Sequence, residues 1–308
     1  FLRKHLYRKK IIVILSVAVV LTACGFLGRD VILRLRMEGV TPYYVEDITL
    51  DKGTARIVSS TETLNIRFAE EQLMFYDAEG YSLHVNANED ETGINISFKE
   101  PAFQRYRLKV IGDVLEIRNG EVVFYITLNE DGLYLLGLNG DETNRIVKPE
   151  AIYVKGYEKV GSARAYIWSR TIPLLKNAVL VGYGPDTFAI VFPQKDYIGK
   201  INAYNTPLMI VDKPHNMYLQ IAINTGILSL VAFLAVIVVY LVMGIKACFM
   251  NRASGRISQY GAGIFIGICA YLVAGFFNDS SIAVAPVFWV LLGIGFACNI
   301  MAACDTDR

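Results

Sequence analysis

This sequence predicts a multi-pass α-helical membrane protein. It reads as a transmembrane bundle of four spans with a large extracytoplasmic section, in which an antiparallel β-rich module is followed by short helices. Three observations carry that expectation. Hydrophobic residues make up 54% of the 308-residue chain, more than an ordinary soluble protein holds. Much of that apolar content is gathered into four runs rather than spread evenly. Between the first and second runs, short stretches alternate apolar and polar residues and are bounded by turn formers.

The runs are "IIVILSVAVVLTACGFLG" at 11–28, "GILSLVAFLAVIVVYLVMGI" at 226–245, "GAGIFIGICAYLVAGFF" at 261–277 and "IAVAPVFWVLLGIGFACNIMAA" at 282–303. A bilayer core about 30 Å thick takes roughly 20 apolar residues as helix, so all four qualify and the third is the shortest fit. None contains an acid or an arginine. Loop charge sets the orientation. Residues 1–10 carry Arg3, Lys4, Arg8, Lys9 and Lys10, and the connector between the second and third runs carries Lys246, Arg252 and Arg256 without an acid. An excess of basic residues marks the cytoplasmic side. Residues 1–10 then form a cytoplasmic basic segment and 11–28 the first span. The extracytoplasmic β-rich module is 29–150, the extracytoplasmic helical loop 151–225, the last three spans 226–303 and the cytoplasmic tail 304–308. Asn278–Ser281 becomes a short outer turn.

Cys24, Cys248, Cys269, Cys298 and Cys304 all lie in or beside the apolar runs, so disulfides do not hold the outer section. "LTAC" at 21–24 also reads as a lipoprotein signal that would leave Cys24 as a lipidated N-terminus. A chain that starts at Phe1 points instead to part of a longer protein. The net charge of +1 gives no indication of nucleic acid.

Within 42–150 the segments "ARIVSS", "TLNIRF", "YSLHVNA", "GINISF", "YRLKVIG", "VLEIRNG" and "VVFYITL" read as strands. The expected result is a sandwich or meander of about seven to nine strands. Asn119-Gly120 is a type I′ hairpin signal. Tyr76, Tyr81 and Tyr125 could stack on sugars, although such tyrosines more often serve as core or scattered surface aromatics. From 151 onward the texture is helical. "GSARAYIWSRTIPLLKN" offers Ser162 as N-cap and Pro173 as a kink or end. In "GYGPDTFAIVFPQ", Pro185 suits a first helical position with Asp186 on the positive helix end. In "DKPHNMYLQIAINTG", Asp212 can cap, Pro214 can start a helix, and His215 falls in its first turn.

A histidine in a first helical turn meets the positive end of the macrodipole, which favours the neutral imidazole and so a general base. The same helix end suits an anion such as phosphate. Arg164 and Arg170 are permanent cations that bind phosphate oxygens in pairs. One base and one or two arginines at headgroup depth suit a lipid-linked phosphate substrate. A structural histidine and arginines that only anchor a helix fit the same spacing. Asp305-Thr306-Asp307 is the one Asp-x-Asp, on the tail, and neither zinc spacing nor a nucleotide phosphate loop is present.

"SARAYIWSR", "LVGYGPDTF" and "HNMYLQIAINTGILS" together resemble the large outer loop of the O-antigen ligase and polymerase family. That loop carries a serine-glycine-arginine segment, a glycine-proline turn, and a His-Asn pair followed by nine residues and a glycine. Here His215-Asn216 is followed by nine residues and then Gly226. Ser229 departs from the residue expected three positions later, and Ala163 stands where the family often has glycine. The resemblance covers residues 160–303 and does not extend to the β-rich module. It implies transfer of a glycan from an undecaprenyl-diphosphate carrier to an acceptor glycan or cell-envelope polymer. The transfer would occur at the outer face of the bacterial cytoplasmic membrane, with inversion and without a metal or other cofactor. Arg164 and His215 are then the expected catalytic residues, one on diphosphate and one on the acceptor hydroxyl. Arg170, Asn216 and Trp168 are the expected substrate-binding set, although Trp168 and Tyr218 also suit positioning the helices. Family members have many more spans than the four read here, so the chain reads as a C-terminal portion that could be inactive alone. A non-catalytic membrane protein whose β-module binds wall polymer is the alternative.

Overall fold

The computed structural model describes residues 43–129, 131–152, 155–249 and 256–304. The basic segment 1–10, the expected first span 11–28 with Cys24, Arg252 and the Asp305–Asp307 tail lie outside the described residues. The described chain divides into two compact units: residues 43–173 with 189–212, and residues 174–188 with 213–304. The helical loop is shared, one part folding with the β-module and the other with the apolar helices.

The first unit holds two antiparallel meanders. β1 (Val45–Asp51), β2 (Thr54–Ser59), β3 (Thr63–Ala69) and β4 (Gln72–Tyr76) form one sheet in that order. β5 (Val85–Asp90), β6 (Gly93–Phe98), β7 (Tyr106–Ile111), β8 (Val114–Asn119), β9 (Val122–Asn129), β10 (Gly132–Leu136) and the short β11 (Glu142–Thr143) form the other, also in chain order. Period-2 alternation turns residues such as Ile57, Leu64, Leu108, Ile117, Phe124 and Leu135 into one shared core, as half-buried strands require.

The hairpin at Asn119-Gly120 forms one residue later than expected. Asn119 pairs with Val122, which leaves Gly120-Glu121 as the loop. Gly120 has φ +61 and Glu121 does not turn positive, the pattern of a type II′ turn. The β3–β4 hairpin is less well served. Ala69 pairs with Gln72, so Glu70 and Glu71 make the turn at φ +51 and +59. Two side chains there occupy a conformation that favours glycine or asparagine.

Two further helices belong to this unit: α1 (Arg164–Leu174), whose last residue opens the other unit, and α3 (Tyr197–Tyr204), which folds against the strands. Between them in sequence is the one-turn α2 (Phe188–Val191). Tyr197, Ile198 and Ile201 of α3 enter the β core. Asn202 completes the join, its amide oxygen accepting from Val45 N–H and its nitrogen donating to Val45 C=O, both at 2.8 Å. A side-chain amide thus stands in for a neighbouring strand on the open edge of β1.

The second unit is built on α4 (Met217–Thr225), α5 (Ile227–Phe249), α6 (Arg256–Ala274) and α7 (Ala285–Cys304). Ile227–Ala247, Ile257–Ala274 and Ala285–Cys304 are long and apolar enough to cross a membrane. Their shared core is made of Phe233, Ile237 and Tyr240 from α5, Ile268 and Leu272 from α6, and Phe288 and Leu292 from α7, with Met217 of α4.

Candidate functional site

Sequence placed His215 inside a first helical turn, but it stands just before the helix. Asn216 is the N-cap of α4, its side chain accepting from Leu219 N–H at 3.0 Å, and Asp212 is not the cap. His215 has φ +50, a left-handed conformation that an ordinary side chain adopts only when its surroundings enforce it. The enforcing residue is Asp279, in the turn between α6 and α7. Its Oδ2 lies 2.9 Å from His215 Nδ1 and its Oδ1 accepts from Asn216 N–H at 3.2 Å. Since a carboxylate only accepts, Nδ1 donates this bond, and in the neutral form of the ring it is Nε2 that holds the lone pair. The pair is partly open, with side-chain exposure of 40% for His215 and 12% for Asp279.

The rest of that turn clasps the start of α4. Asn216 Nδ2 donates to Phe276 C=O at 3.0 Å, and Met217 N–H donates to Gly275 C=O at 2.8 Å. Gln220 Oε1 accepts from Ser280 N–H at 2.7 Å, and Tyr218 OH donates to Leu272 C=O at 2.8 Å. Asn216 is therefore buried with its amide oxygen and nitrogen both engaged inside the protein. These bonds fix His215 and the helix behind it.

The glycine nine residues on has a physical reason. Gly226 breaks the path between α4 and α5 at φ +105, and a Cβ there would come within 2.8 Å of Leu180 C=O. The chain at 178–184 runs along this junction. Ala178 and Val179 carbonyls accept from the first N–H groups of α5, Ile227 and Leu228, at 2.8 and 3.1 Å. Those groups would otherwise be orphans of the helix start. The nearby Gly184-Pro185 element is a turn rather than a helix start. Asp186 sits at φ +59 and the helix α2 begins only at Phe188, so Asp186 is not placed at a helix end.

The arginines belong to the other unit. Gly161, Ser162 and Ala163 are all left-handed, at φ +65, +57 and +65, and α1 starts at Arg164. Ser162 is thus not an N-cap of the extended kind. The family's preference for glycine beside this arginine matches the left-handed backbone, which Ala163 adopts at a cost of about 1–2 kcal/mol. Arg164 is half-buried, with Nη1 donating to Gly161 C=O at 2.8 Å. Trp168, one turn further along, is also half-buried.

Arg170 points elsewhere, as its spacing implied. Its Nε meets Asp196 Oδ2 at 2.9 Å, Nη1 donates to Ser169 Oγ, and the guanidinium lies over the Tyr166 ring at 4.8 Å. Asp196 also caps α3 by accepting from Gly199 N–H at 3.0 Å. With side-chain exposures of 13% and 3%, this is an internal ion pair. Beside it, Lys200 is fully buried and its Nζ finds no hydrogen-bond partner among the described residues. Burial pulls that ammonium down to about 8, against a smaller opposing pull from Asp196. Burial also raises the Glu158 carboxyl.

Structure therefore gathers His215 and Asn216 in one unit, and Arg164, Trp168 and Arg170 on one helix of the other. Sequence reasoning missed Asp279, reading its segment only as a turn. The signal was present: Asp279 is the only acid between residues 213 and 304, and a lone ionisable group in an apolar region asks for a partner.

No curated protein and no solved structure matches the chain. A family model described as O-Antigen ligase matches residues 123–234. The match begins in β9, where Val123 N–H donates to Asn205 C=O from the helical loop at 2.7 Å, so it reaches into the β-rich module. It contains Arg164, Trp168, Arg170, His215 and Asn216 and ends before Asp279. Residues 123–234 of this chain are therefore similar to the O-antigen ligase family, and three of its described helices are long and apolar enough to cross a membrane.

Proposed function

We propose that the protein transfers a glycan from an undecaprenyl-diphosphate carrier to a hydroxyl of an acceptor glycan or envelope polymer, at the outer face of the bacterial cytoplasmic membrane. The observation that carries this reading is the pairing of His215 Nδ1 with Asp279, which presents Nε2 as a base at the head of the helix leading into a membrane span. In the proposed step Nε2 takes the proton of the acceptor hydroxyl while its oxygen attacks the anomeric carbon. The bond from that carbon to the diphosphate oxygen breaks, and the electron pair leaves with the diphosphate. Asp279 stabilises the resulting imidazolium and keeps the ring in its productive tautomer. Diphosphate is already a good leaving group, so cations suffice to hold its developing charge, and the reading calls for no cofactor. Arg164 is assigned that role on the resemblance of its segment, and Arg170 and Asn216 are assigned to positioning.

The proposed sidedness draws on charge. Lys246 lies in the last turn of α5 and marks the cytoplasmic end. The opposite end of that helix, with His215, then faces outward.

The test is His215→Ala at matched membrane abundance in the native host. Surface polymer is expected to fall while carrier-linked glycan accumulates. Unchanged polymer without accumulation would make the histidine structural and overturn the proposal.

A further inference from the structure

We infer that a groove in the β-rich unit is a subsite for the acceptor glycan, holding a short run of sugar residues; this rests on the transfer reading above. The groove is open to solvent on one side and offers about 400 Å³, within the range of small-molecule sites. Its lining includes Leu138, Asn139, Asp141, Ala189, Lys195 and Ile210, every one inside the stretch that matches the ligase family.

Both walls are set before any ligand arrives. On one side Gly137 N–H donates to Asp141 C=O at 2.6 Å and Asp141 N–H to Leu138 C=O at 3.0 Å. That turn holds Asn139 at φ +57, a conformation asparagine tolerates better than most residues. On the other side Gln194 ties the wall together. Its Nε2 donates to Ala189 and Val211 carbonyls at 2.9 and 2.7 Å, and its Oε1 accepts from Val211 N–H at 3.2 Å. Tyr197 joins the walls: a Cβ at Gly137 would come within 2.8 Å of its phenol oxygen, so a side chain there would have to push the tyrosine aside. A preformed cleft loses little freedom on binding.

The chemistry of the lining selects the ligand class. Sugar hydroxyls both donate and accept, and the groove offers each. Lys195 Nζ donates, Asp141 accepts, and the Asn139 amide does both. Lys195 and Asp141 meet at 3.3 Å with side chains 75% and 62% exposed. Such an exposed pair contributes little stability, so a ligand can insert at little cost. The two charges cancel, which disfavours an isolated phosphate and suits a neutral polyhydroxyl chain. Leu138, Ala189 and Ile210 supply apolar lining on which the C–H faces of pyranose rings can pack.

The experiment is a binding titration on the full chain in detergent, with size-fractionated oligosaccharides released from the host's own surface polymer. Wild type is expected to bind these oligosaccharides. The double variant N139A/K195A should weaken binding about tenfold by removing two hydrogen-bonding groups. Ala189→Trp, which fills the groove without removing a polar group, should abolish binding. Absence of binding to wild type, or groove variants that bind as wild type does, would overturn the subsite. If His215→Ala leaves transfer intact while the groove variants lose binding, the glycan site stands and the transfer reading falls.

Discussion

Asp196 and Asp279 each meet one basic side chain at 2.9 Å, yet the two pairs are built for different ends. Arg170–Asp196 is sealed inside the β-rich unit, where it ties α1 to the cap of α3. His215–Asp279 sits at the head of α4 with the histidine open to solvent and one ring nitrogen unspent. A sealed guanidinium pair cannot exchange a proton with a substrate, and its loss leaves a buried charge uncompensated. An open imidazole pair can exchange that proton, and its loss need not disturb the fold. Accessibility and the choice of base, more than pair distance, separate an architectural ion pair from a chemical one.

Substitutions that separate folding from chemistry sharpen this contrast. The largest effect is expected at the open pair: His215→Ala should lower transfer by roughly 10²- to 10⁴-fold, with thermal stability and membrane abundance unchanged. At the sealed pair, Arg170→Ala should cost about 3–5 kcal/mol of stability. It would be read as a lower melting temperature and faster proteolysis, with transfer per folded molecule retained. A drop in specific transfer without destabilisation would break the contrast.

Lys200 gives a smaller effect of opposite sign. Its folded value of about 8 lies below the ordinary 10.5, so between those pH values the unfolded chain binds the extra proton and stability rises with pH. The penalty is full below about 8 and gone above 10.5. Lys200→Met should therefore stabilise the β-rich unit by roughly 3 kcal/mol at neutral pH. That advantage should shrink as melting is followed from pH 8 toward 10.5. The smallest expected change is at the β3–β4 turn, where replacing Glu70-Glu71 with Asn-Gly should relieve about 1–2 kcal/mol of left-handed strain and raise the melting temperature.

Strands with strict alternation, such as β3, β6, β7 and β8, were legible because neighbouring residues face opposite sides. β1 was not. A register shift between Val45 and Asp47 spaces Val45, Ile48 and Leu50 irregularly, which hides the period. The three C-terminal apolar runs were legible from length alone, and α5, α6 and α7 follow them closely. His215 was legible as a residue type at a helix start, but its exact position was not. Pro214 suggested the first turn, whereas Asn216 takes the cap and pushes the histidine outside. The partners of Asp279 and Asp196 escaped because each pairing joins residues far apart in sequence, 64 positions in one case and 26 in the other; the isolation of Asp279 among apolar residues signals that it needs a partner but does not name it.

The central claim, that His215 and Asp279 act as one unit on the acceptor hydroxyl, is tested most directly by a double-mutant cycle on transfer. His215→Ala, Asp279→Ala and the double variant would be compared at matched abundance. Residues that work as a unit are strongly non-additive, so the account predicts a double variant no worse than His215→Ala alone. Losses that multiply, or a His215→Ala protein that transfers as wild type does, would contradict it.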